Sequence, residues 1–415
     1  MQIVLQSSFD RVFWKSLFLF SALAYVAIAV RDYAAYRLGS SEQPEAIEQA
    51  IRLDPADAEY RNRLGDYFML FDLRPDLAIP QYKSATSLNP HIAEYWLDLA
   101  TAYASTGAPE LQEEALGRAL SVDPNTPRIS QQVAYAYFIR GDLNQAFRRF
   151  RVLLQTDPWE AEPTLNICWQ ATHNIDAMSD VLPPAPGVYF IFLKILMDEK
   201  DTEAAETTWS RLIALRRPFD RQLAMPYFEY LIAQHRVGAV RAAWDDLARI
   251  DPDFRAYRPS ATNLIVNGGF EAKLLNMGLD WRYEDRPGVT LAMDTEQFHG
   301  GSHSLSITFD GEQVLDVGLS QLIAVDPNSR YDFRAYTKSD DIYAAHGPQF
   351  VIGDAYTKNS LLVTEEVLGT TAWKEISGSF TTGPGTELVS LKIARTPGAG
   401  PITGRLWIDD VTLAR

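Results

Sequence analysis

A 34-residue period governs the middle of this 415-residue chain. Dipeptides of Asp or Asn followed by proline end at Pro55, Pro90, Pro124 and Pro158, with spacings of 35, 34 and 34 residues. Two stretches of helical period lie between successive dipeptides, and the proline stops the second. A repeat of this length predicts stacked helical hairpins that bury one continuous core, and it excludes most other arrangements.

Small and aromatic residues recur at fixed places within the repeats. The clearest unit has Trp96, Ala100 and Tyr103 in its first helix and Ala119 near the end of its second. This pattern resembles the tetratricopeptide repeat (TPR) family, which implies an all-α solenoid over residues 41–255. The spacing lengthens to 60 residues between Pro158 and Pro218, so we expect a degenerate unit near 161–186.

The resemblance also implies a groove lined by the first helix of each hairpin, which would bind a partner protein. By the register of the family, the groove residues are Glu59, Asn62, Asp66, Glu94, Thr101, Arg128, Gln131 and Tyr135. The alternative is a solvated helix face that has no specific ligand, because one fold serves many ligands.

An apolar stretch precedes the repeats. Ser16–Val30 contains no charged residue, and Val12–Trp14 extends the stretch with only Lys15 between. This length suits the ~30 Å hydrocarbon layer of a membrane. We predict a membrane anchor at 12–31 behind a short tail, 1–11. The alternatives are a signal peptide cleaved near Ala29 and a buried core helix.

Charge and motifs exclude several classes of function. The net charge is 38 − 54 = −16, which argues against nucleic acid as a partner. The single cysteine, Cys168, excludes a disulfide framework and a multi-cysteine zinc site. The sequence contains no nucleophile elbow, Walker loop or HExxH motif. We therefore expect a protein that is not an enzyme.

The hydrophobic period changes from 3.6 to 2 in residues 262–415. Short alternating runs are separated by Gly, Pro, Asn and Asp, as in a β-sandwich. The runs are Val289–Met293, Ser304–Phe309, Tyr331–Tyr336, Glu375–Phe380, Leu388–Ile393 and Leu406–Leu413. With the repeats before it, this pattern predicts a multidomain chain in which an all-α solenoid is followed by an all-β sandwich.

Four segments of the β region carry a second resemblance. They are Asn263–Glu271 (NLIVNGGFE), His299–Leu305 (HGGSHSL), Tyr331–Tyr336 (YDFRAY) and Leu406–Leu413 (LWIDDVTL). Together they resemble the jelly-roll carbohydrate-binding modules of the galactose-binding-like superfamily. The resemblance places Trp281, Trp373 and Trp407 at positions that usually build the core of the module.

Two ligands follow from the second resemblance. A structural calcium ion would be held by Glu271, Asp409 and Asp410, since hard cations prefer carboxylate and carbonyl oxygens. The alternative is that Glu271 is a solvated charge and the aspartates cap a strand. For a sugar, aromatic rings and polar side chains are needed. The candidates are Tyr336, Tyr343, Gln349, Asp354 and Tyr356.

The pairing of these domains resembles accessory proteins of exopolysaccharide or cell-envelope assembly, which implies a non-catalytic scaffold of a bacterial cell envelope. The solenoid would bind partner proteins, and the sandwich would contact glycan in exopolysaccharide or envelope assembly. We expect a single-pass inner-membrane protein with its bulk in the periplasm, or an exported protein if the signal is cleaved. Two other hypotheses stay open: a glycan-binding protein whose solenoid is only a stalk, and an unrecognised carbohydrate-active enzyme.

Overall fold

The computed structural model describes residues 8–415, so residues 1–7 of the predicted tail 1–11 lie outside the described residues. Helices occupy the chain up to Ile250, and two antiparallel β-sheets follow. The predicted fold class, an α-solenoid followed by a β-sandwich, is confirmed. The chain divides between Pro183 and Pro184 into two compact units.

The first unit consists of helical hairpins. Its helices are α1 (Ser8–Gly39), α2 (Pro44–Leu53), α3 (Ala58–Leu70), α4 (Pro75–Leu88), α5 (Ala93–Ser105), α6 (Pro109–Val122), α7 (Pro127–Arg140), α8 (Leu143–Thr156) and α9 (Ala161–Thr172). Consecutive helices pair as α1 with α2, α3 with α4, α5 with α6 and α7 with α8. The predicted degenerate stretch contains α9 and the short 3₁₀ helices Pro158–Glu160 and Ala177–Asp180.

Local sequence explains where these helices begin and end. Proline occupies the first turn of α4, α6 and α7, where its missing N–H is not needed. Asp142 caps α8 by accepting a hydrogen bond from the backbone N–H of Gln145. Gly65 in α3 lets the ring of Tyr82 in α4 pack directly on the helix backbone, where a Cβ would lie 2.6 Å from the ring.

The helix α1 has two parts of different character. From Val12 to Val30 its large apolar side chains are exposed, and the stretch is long and apolar enough to cross a membrane, a test that a signal sequence also passes. Near its C-terminal end, Ala35 and Leu38 pack with Ile47 of α2 and Tyr60 of α3. One helix therefore continues from the apolar stretch into the first hairpin.

The second unit begins with two more helical hairpins, which lie within the range 41–255 predicted for the solenoid. Their helices are α10 (Pro186–Asp198), α11 (Thr202–Ala214), α12 (Met225–Ala233) and α13 (Val237–Ile250). Aromatic rings fill their core, with Trp209 stacked on Tyr227 and Phe228 edge-on to Trp244.

Ten strands follow in two five-stranded sheets. The strands are β1 (Arg282–Tyr283), β2 (Val289–Asp294), β3 (Ser304–Asp310), β4 (Asp316–Ala324), β5 (Arg330–Tyr343), β6 (Gln349–Asp354), β7 (Ser360–Val363), β8 (Gly369–Thr381), β9 (Leu388–Ala394) and β10 (Thr403–Ala414). One sheet has the order β1-β4-β9-β6-β7, and the other has the order β2-β3-β10-β5-β8. We call the second one sheet B.

The core lies between the sheets and is built by alternate residues of the strands. Phe333 and Leu406 from sheet B meet Ile352 and Leu391 from the facing sheet. The residues between them therefore point away from the core, because successive side chains of a strand alternate between its faces. This alternation determines which side chains sheet B presents on its outer face.

The last helical hairpin packs against the sandwich within the second unit. Glu229 of α12 accepts two hydrogen bonds from the Arg282 guanidinium, at 2.7 and 3.0 Å, and one from the Gly278 N–H. The indole of Trp244 donates to the Tyr257 carbonyl at 2.7 Å, and the Tyr257 hydroxyl donates to the Lys273 carbonyl. The end of the solenoid and the sandwich thus share one packed interface.

Candidate functional site

The first candidate site is the face shared by the first helices α3, α5 and α7. The hydroxyl of Tyr95 on α5 donates to Glu59 on α3 at 2.9 Å, and the Asn62 amide donates to Asp98 on α5 at 2.9 Å. Glu94 on α5 forms an ion pair with Arg128 on α7. The register predicted from the sequence therefore brings these side chains together.

The remaining predicted groove residues contact other residues of the first unit. Thr101 donates its hydroxyl to the Leu97 carbonyl within α5, and Tyr135 packs edge-on against Phe150. Gln131 donates to Glu160 at 3.0 Å, and Asp66 accepts from the Tyr82 hydroxyl at 2.8 Å. These contacts locate the residues, while their role in binding stays a prediction.

Asp98 is a member of this face that we did not predict. It lies one helical turn after Glu94, so the spacing of four residues carried the signal for it. Burial raises the pKa of Asp98 to about 6, against the hydrogen bond from Asn62. Burial likewise raises the pKa of Asp66, in spite of the Tyr82 hydroxyl. The face therefore holds carboxylates whose ionisation is costly.

The second candidate site is a group of aromatic rings on the outer face of sheet B. Strand register places Tyr336 of β5 beside Asp409 of β10 and Glu375 of β8. The imidazole of His299 stacks on the Tyr336 ring at 3.6 Å between centroids, and Trp373 of β8 lies 5.8 Å from the imidazole. We call His299, Tyr336 and Trp373 the ring platform.

Polar groups surround the ring platform. The Tyr336 hydroxyl donates to Glu375 at 3.3 Å, and the Lys338 ammonium contacts the Gln297 amide oxygen. Next to them, the Trp407 indole donates to Asp294 at 2.8 Å, with Lys338 and Arg405 each 5.5 Å from its ring. Flat rings with carboxylate, amide and cationic groups nearby can bind both the apolar face and the hydroxyls of a sugar.

The three tryptophans that the resemblance places in the core are buried to different degrees. Trp281 is fully buried in the core, as expected. Trp407 is also buried, at 5% exposed, but it lies outside the cluster of core residues, between Leu406 and Ile408, and Lys338 and Arg405 each lie 5.5 Å from its ring. Trp373 is also outside that cluster and only half-buried. Strand alternation, rather than ring size, decides their positions.

The predicted sugar contacts do not form one cluster. Tyr336 belongs to the ring platform, and Tyr343 is 80% exposed at the end of the same strand. Gln349 begins β6, in the opposite sheet. Asp354 is buried and accepts backbone N–H bonds from Tyr356 and Thr357, while Tyr356 stacks on His235 and donates to the Ile232 carbonyl. Structural contacts thus occupy Asp354 and Tyr356.

The predicted calcium residues lie around one turn, 299–303. Glu271 accepts hydrogen bonds from the N–H groups of Ser302 and His303 and from the Ser302 hydroxyl, at 2.7–3.0 Å. Asp409 accepts from the N–H groups of His299 and Gly300, and Asp410 contacts the His299 ring at 2.7 Å. The turn is therefore held by carboxylates that bind its N–H groups.

Around this turn the described side chains do not gather as a set of metal ligands. In residues 8–415, no group of three or more His, Cys, Asp or Glu side chains is placed to hold one metal ion. The N–H groups direct positive charge toward the carboxylates and stabilise their negative charge. Burial would raise the pKa of Glu271, but its hydrogen bonds outweigh that effect and hold the pKa at about 2. Calcium binding stays a prediction.

The single cysteine is also placed by the structure. Cys168 is buried in α9, and this burial raises the pKa of its thiol to about 12. A thiol in such surroundings is inert at neutral pH.

Comparison with known protein families agrees with both halves of this description. A tetratricopeptide repeat model matches residues 93–126, and a carbohydrate binding domain model matches residues 262–399. Both are non-catalytic families. The chain therefore combines a tetratricopeptide repeat, which indicates protein interaction, with a domain that indicates carbohydrate binding. The comparison with curated proteins found no match.

Solved structures similar to parts of the chain are of the same two kinds. The structure of MamA is 19% identical, with a TM-score of 0.31, covering 39% of this chain and 88% of its own. The structure of PilF from Pseudomonas aeruginosa is 14% identical, with a TM-score of 0.27, and the match covers 48% of this chain and 93% of PilF. A CBM4 structure is 16% identical, with a TM-score of 0.28, and the match covers 36% of this chain and 98% of the CBM4 chain. The family matches, and not these scores, carry the assignment.

Proposed function

We propose that the protein is a non-catalytic, membrane-anchored scaffold of a bacterial cell envelope that holds a glycan on sheet B and a partner protein on the solenoid. The ring platform is the observation that carries this proposal. It lies on the outer face of a sheet within the segment that matches a carbohydrate binding domain. Sugars stack on such rings and exchange hydrogen bonds with groups such as Glu375 and Gln297.

The location in the cell forms part of the same proposal. An anchor at 12–31 would place the protein in the inner membrane with its bulk in the periplasm, where exopolysaccharide and envelope components pass. Cleavage near Ala29 would instead release it as an exported glycan-binding protein. The exposed apolar side chains of α1 support both possibilities.

The glycan proposal is tested by affinity electrophoresis of the full chain in an uncharged detergent that contains no sugar. Gels would contain xylan, β-glucan, galactan or an acidic polysaccharide. We expect retardation in at least one gel, and loss of it in Tyr336→Ala and Trp373→Ala. Losing a stacking ring should weaken binding about tenfold, as for a loss of ~1.4 kcal/mol.

Tyr283→Ala is the matched control, because Tyr283 is an exposed tyrosine on β1 of the opposite sheet. Circular dichroism melting of each variant would verify that it is folded. Retardation that all three variants share with the wild type would remove the ring platform as the sugar site. Absence of retardation in every gel would leave partner binding as the function to test.

A further inference from the structure

A cavity of about 680 Å³ lies where the last helical hairpin meets the sandwich, within the second unit. Its lining comes from α13, the segment 258–266, the end of β4, the start of β5 and the residue after β10. Sites for small molecules have volumes of this size and often lie where domains meet. None of the lining residues belongs to the ring platform, so the cavity is a separate candidate site.

Much of the cavity lining is apolar. Val266, Leu279 and Val325 line it and are buried, while Leu264 and Leu322 line it and are only partly buried. Covering the partly buried leucines would remove apolar surface from water. The cavity therefore favours a ligand that has an apolar part.

Three arginines line the same cavity and come from separate parts of the chain. Arg241 of α13 and Arg415 after β10 donate to the two carboxylate oxygens of Asp326, at 3.3 and 2.7 Å. Arg258 donates to Asp245 at 3.0 Å. The side chains that line the cavity thus carry three positive and two negative charges. This excess is opposite in sign to the net charge of the chain, −16.

Most hydrogen-bond donors of these guanidinium groups are unused. A guanidinium has five N–H donors and no acceptor. Among residues 8–415, the side chains of Arg241, Arg258 and Arg415 each make one hydrogen bond. The two bonds to Asp326 also show that a group with two acceptor oxygens fits between Arg241 and Arg415.

A separate observation comes from Tyr331 at the start of β5. This side chain lines the cavity and is only 1% exposed. Its hydroxyl accepts a hydrogen bond from the Asp326 N–H at 2.8 Å, and it donates to no residue in the described part of the chain. Buried polar groups normally use their donors, so a ligand in the cavity would supply the missing acceptor.

We propose that this cavity binds a small organic phosphate. Its oxygens accept hydrogen bonds from Arg241, Arg415 and Tyr331, and its apolar part covers Leu264 and Leu322. All the unused polar groups are donors, so the ligand must be anionic and rich in acceptors. A phosphate group brings three acceptor oxygens and a charge of about −1.5 to −2. A cationic ligand would meet repulsion, and a purely apolar one would leave the donors unpaired.

The test is isothermal titration calorimetry of the full chain in an uncharged detergent at pH 7.5, corrected for titration into detergent alone. The probes are phenyl phosphate, inorganic phosphate and benzyl alcohol. Phenyl phosphate carries both the anion and an apolar group, and each of the other two carries one of them. We expect phenyl phosphate to bind at least about tenfold more tightly than either.

The key variant is Arg241→Gln with Arg415→Gln, which removes two cations and keeps polar side chains. We expect it to lose about tenfold or more of the affinity for phenyl phosphate, because hydrogen bonds to charged groups are the stronger ones. Tyr331→Phe removes only a hydroxyl and should weaken binding about threefold or more. Circular dichroism melting of each variant would verify that it is folded.

The matched control is Arg236→Gln with Arg249→Gln. It removes the same charge from two ion-paired arginines at the ends of α13, and neither of them lines the cavity. This variant should bind phenyl phosphate as the wild type does. Tyr336→Ala, which alters the ring platform, should also bind it normally.

Each other outcome overturns a definite claim. Equal loss in the control pair would mean that phosphate responds only to net charge, and the site would be wrong. Loss in Tyr336→Ala would place the phosphate at the ring platform instead. Equal affinity for phenyl phosphate and inorganic phosphate would remove the apolar contact from the proposal. Absence of phenyl phosphate binding to the folded wild type would overturn the inference, while the glycan and partner proposals are unaffected.

Discussion

Asp98 shows that a folded protein can keep a carboxylate in a position that lowers its stability. Its carboxylate lies half-buried among Asp66, Glu94 and the Asn62 amide, and burial is the main reason for its raised pKa. A carboxylate in this position is held ionised at neutral pH only at a cost in folding free energy.

The first prediction concerns the pH dependence caused by Asp98. Its pKa is about 6 in the folded state and near the ordinary 3.8 when unfolded. Between these values the folded state keeps a proton that the unfolded state has released. The free energy of unfolding therefore falls as the pH rises from about 4 to 6, and it stays level above.

Asp98→Asn removes this titration while keeping an acceptor for Asn62. We expect its stability to exceed that of the wild type by about 1–3 kcal/mol at pH 7.5 and to match it near pH 4. Helical circular dichroism during melting, at several pH values, measures the difference. Parallel curves for the two proteins at all pH values would contradict the raised pKa.

The second prediction concerns Glu271, which holds the turn 299–303. Glu271→Ala leaves the N–H groups of Ser302 and His303 without their acceptor, so we expect a loss of about 1–2 kcal/mol. Because its folded pKa is about 2, below the ordinary 4.5, this stabilisation is present above pH 4.5. It should disappear as the pH falls from 4.5 to 2.

Glu296→Ala, an exposed acid before the same turn, serves as the control and should melt as the wild type does. Repeating the melts in EDTA and in calcium chloride separates the predicted metal from the hydrogen bonds. If hydrogen bonds alone hold the turn, Glu271→Ala should lose the same stability in both solutions. A melting temperature that calcium raises in the wild type, but not in Glu271→Ala, would establish the ion.

At the scale of residues, the sequence predicted which side of a helix or strand a residue lies on better than it predicted which residues it contacts. The TPR register located Glu59, Asn62 and Glu94 on one face, because helical periodicity fixes direction. It did not reveal Asp98, although Glu94 lies one turn before it. Trp407 is buried, as the family resemblance implies, but it lies on the opposite side of β10 from its core neighbours Leu406 and Ile408, as strand alternation indicates.

At the scale of elements, the 34-residue period predicted the hairpins α3–α4, α5–α6 and α7–α8, because each repeat carries its own proline stop and small residues. The stretch after Pro158 lacks that repetition, and its short 3₁₀ helices could not be located from sequence. The six alternating runs correspond to β2, β3, β5, β8, β9 and β10. Their order within the sheets depends on long-range pairing, which local alternation does not encode.

The third prediction concerns the interface between the last hairpin and the sandwich. Gly278 has a φ of +58°, and a Cβ there would lie 2.3 Å from the buried Trp244 ring. Gly278→Ala combines backbone strain with a clash against a side chain that cannot move away. We expect a loss of about 2–4 kcal/mol, seen as a lower melting temperature of the full chain.

Gly238→Ala, near the start of α13, is the matched control, since nothing lies within 4 Å of its added Cβ. Alanine in a helix should leave stability unchanged or raise it by up to about 1 kcal/mol. If both variants melt alike, Trp244 does not hold the loop that carries Gly278, and the packed interface is wrong.

At the scale of the whole molecule, the helix α1 continues from the apolar segment, which could cross a membrane, into the first helical hairpin. Its apolar part, 12–30, is about 28 Å long at 1.5 Å per residue, which matches the hydrocarbon layer. Its last turns pack with Ile47 and Tyr60. Cleavage near Ala29 would leave that packing intact, so folding alone does not distinguish an anchor from a signal.

The fourth prediction is that the segment stays in place as an anchor. We expect the full chain to remain with membranes after carbonate extraction, and its N-terminal peptide to include residues before Ala29 in mass spectrometry. Leu19→Arg with Leu23→Arg puts two charges into the layer, each costing about 2.5–3.5 kcal/mol, and should release the protein. Leu70→Arg with Leu73→Arg, at exposed positions beyond α1, is the control and should remain bound. A soluble wild type that begins after Ala29 would instead establish an exported protein, and the glycan proposed for sheet B would then be sought outside the inner membrane.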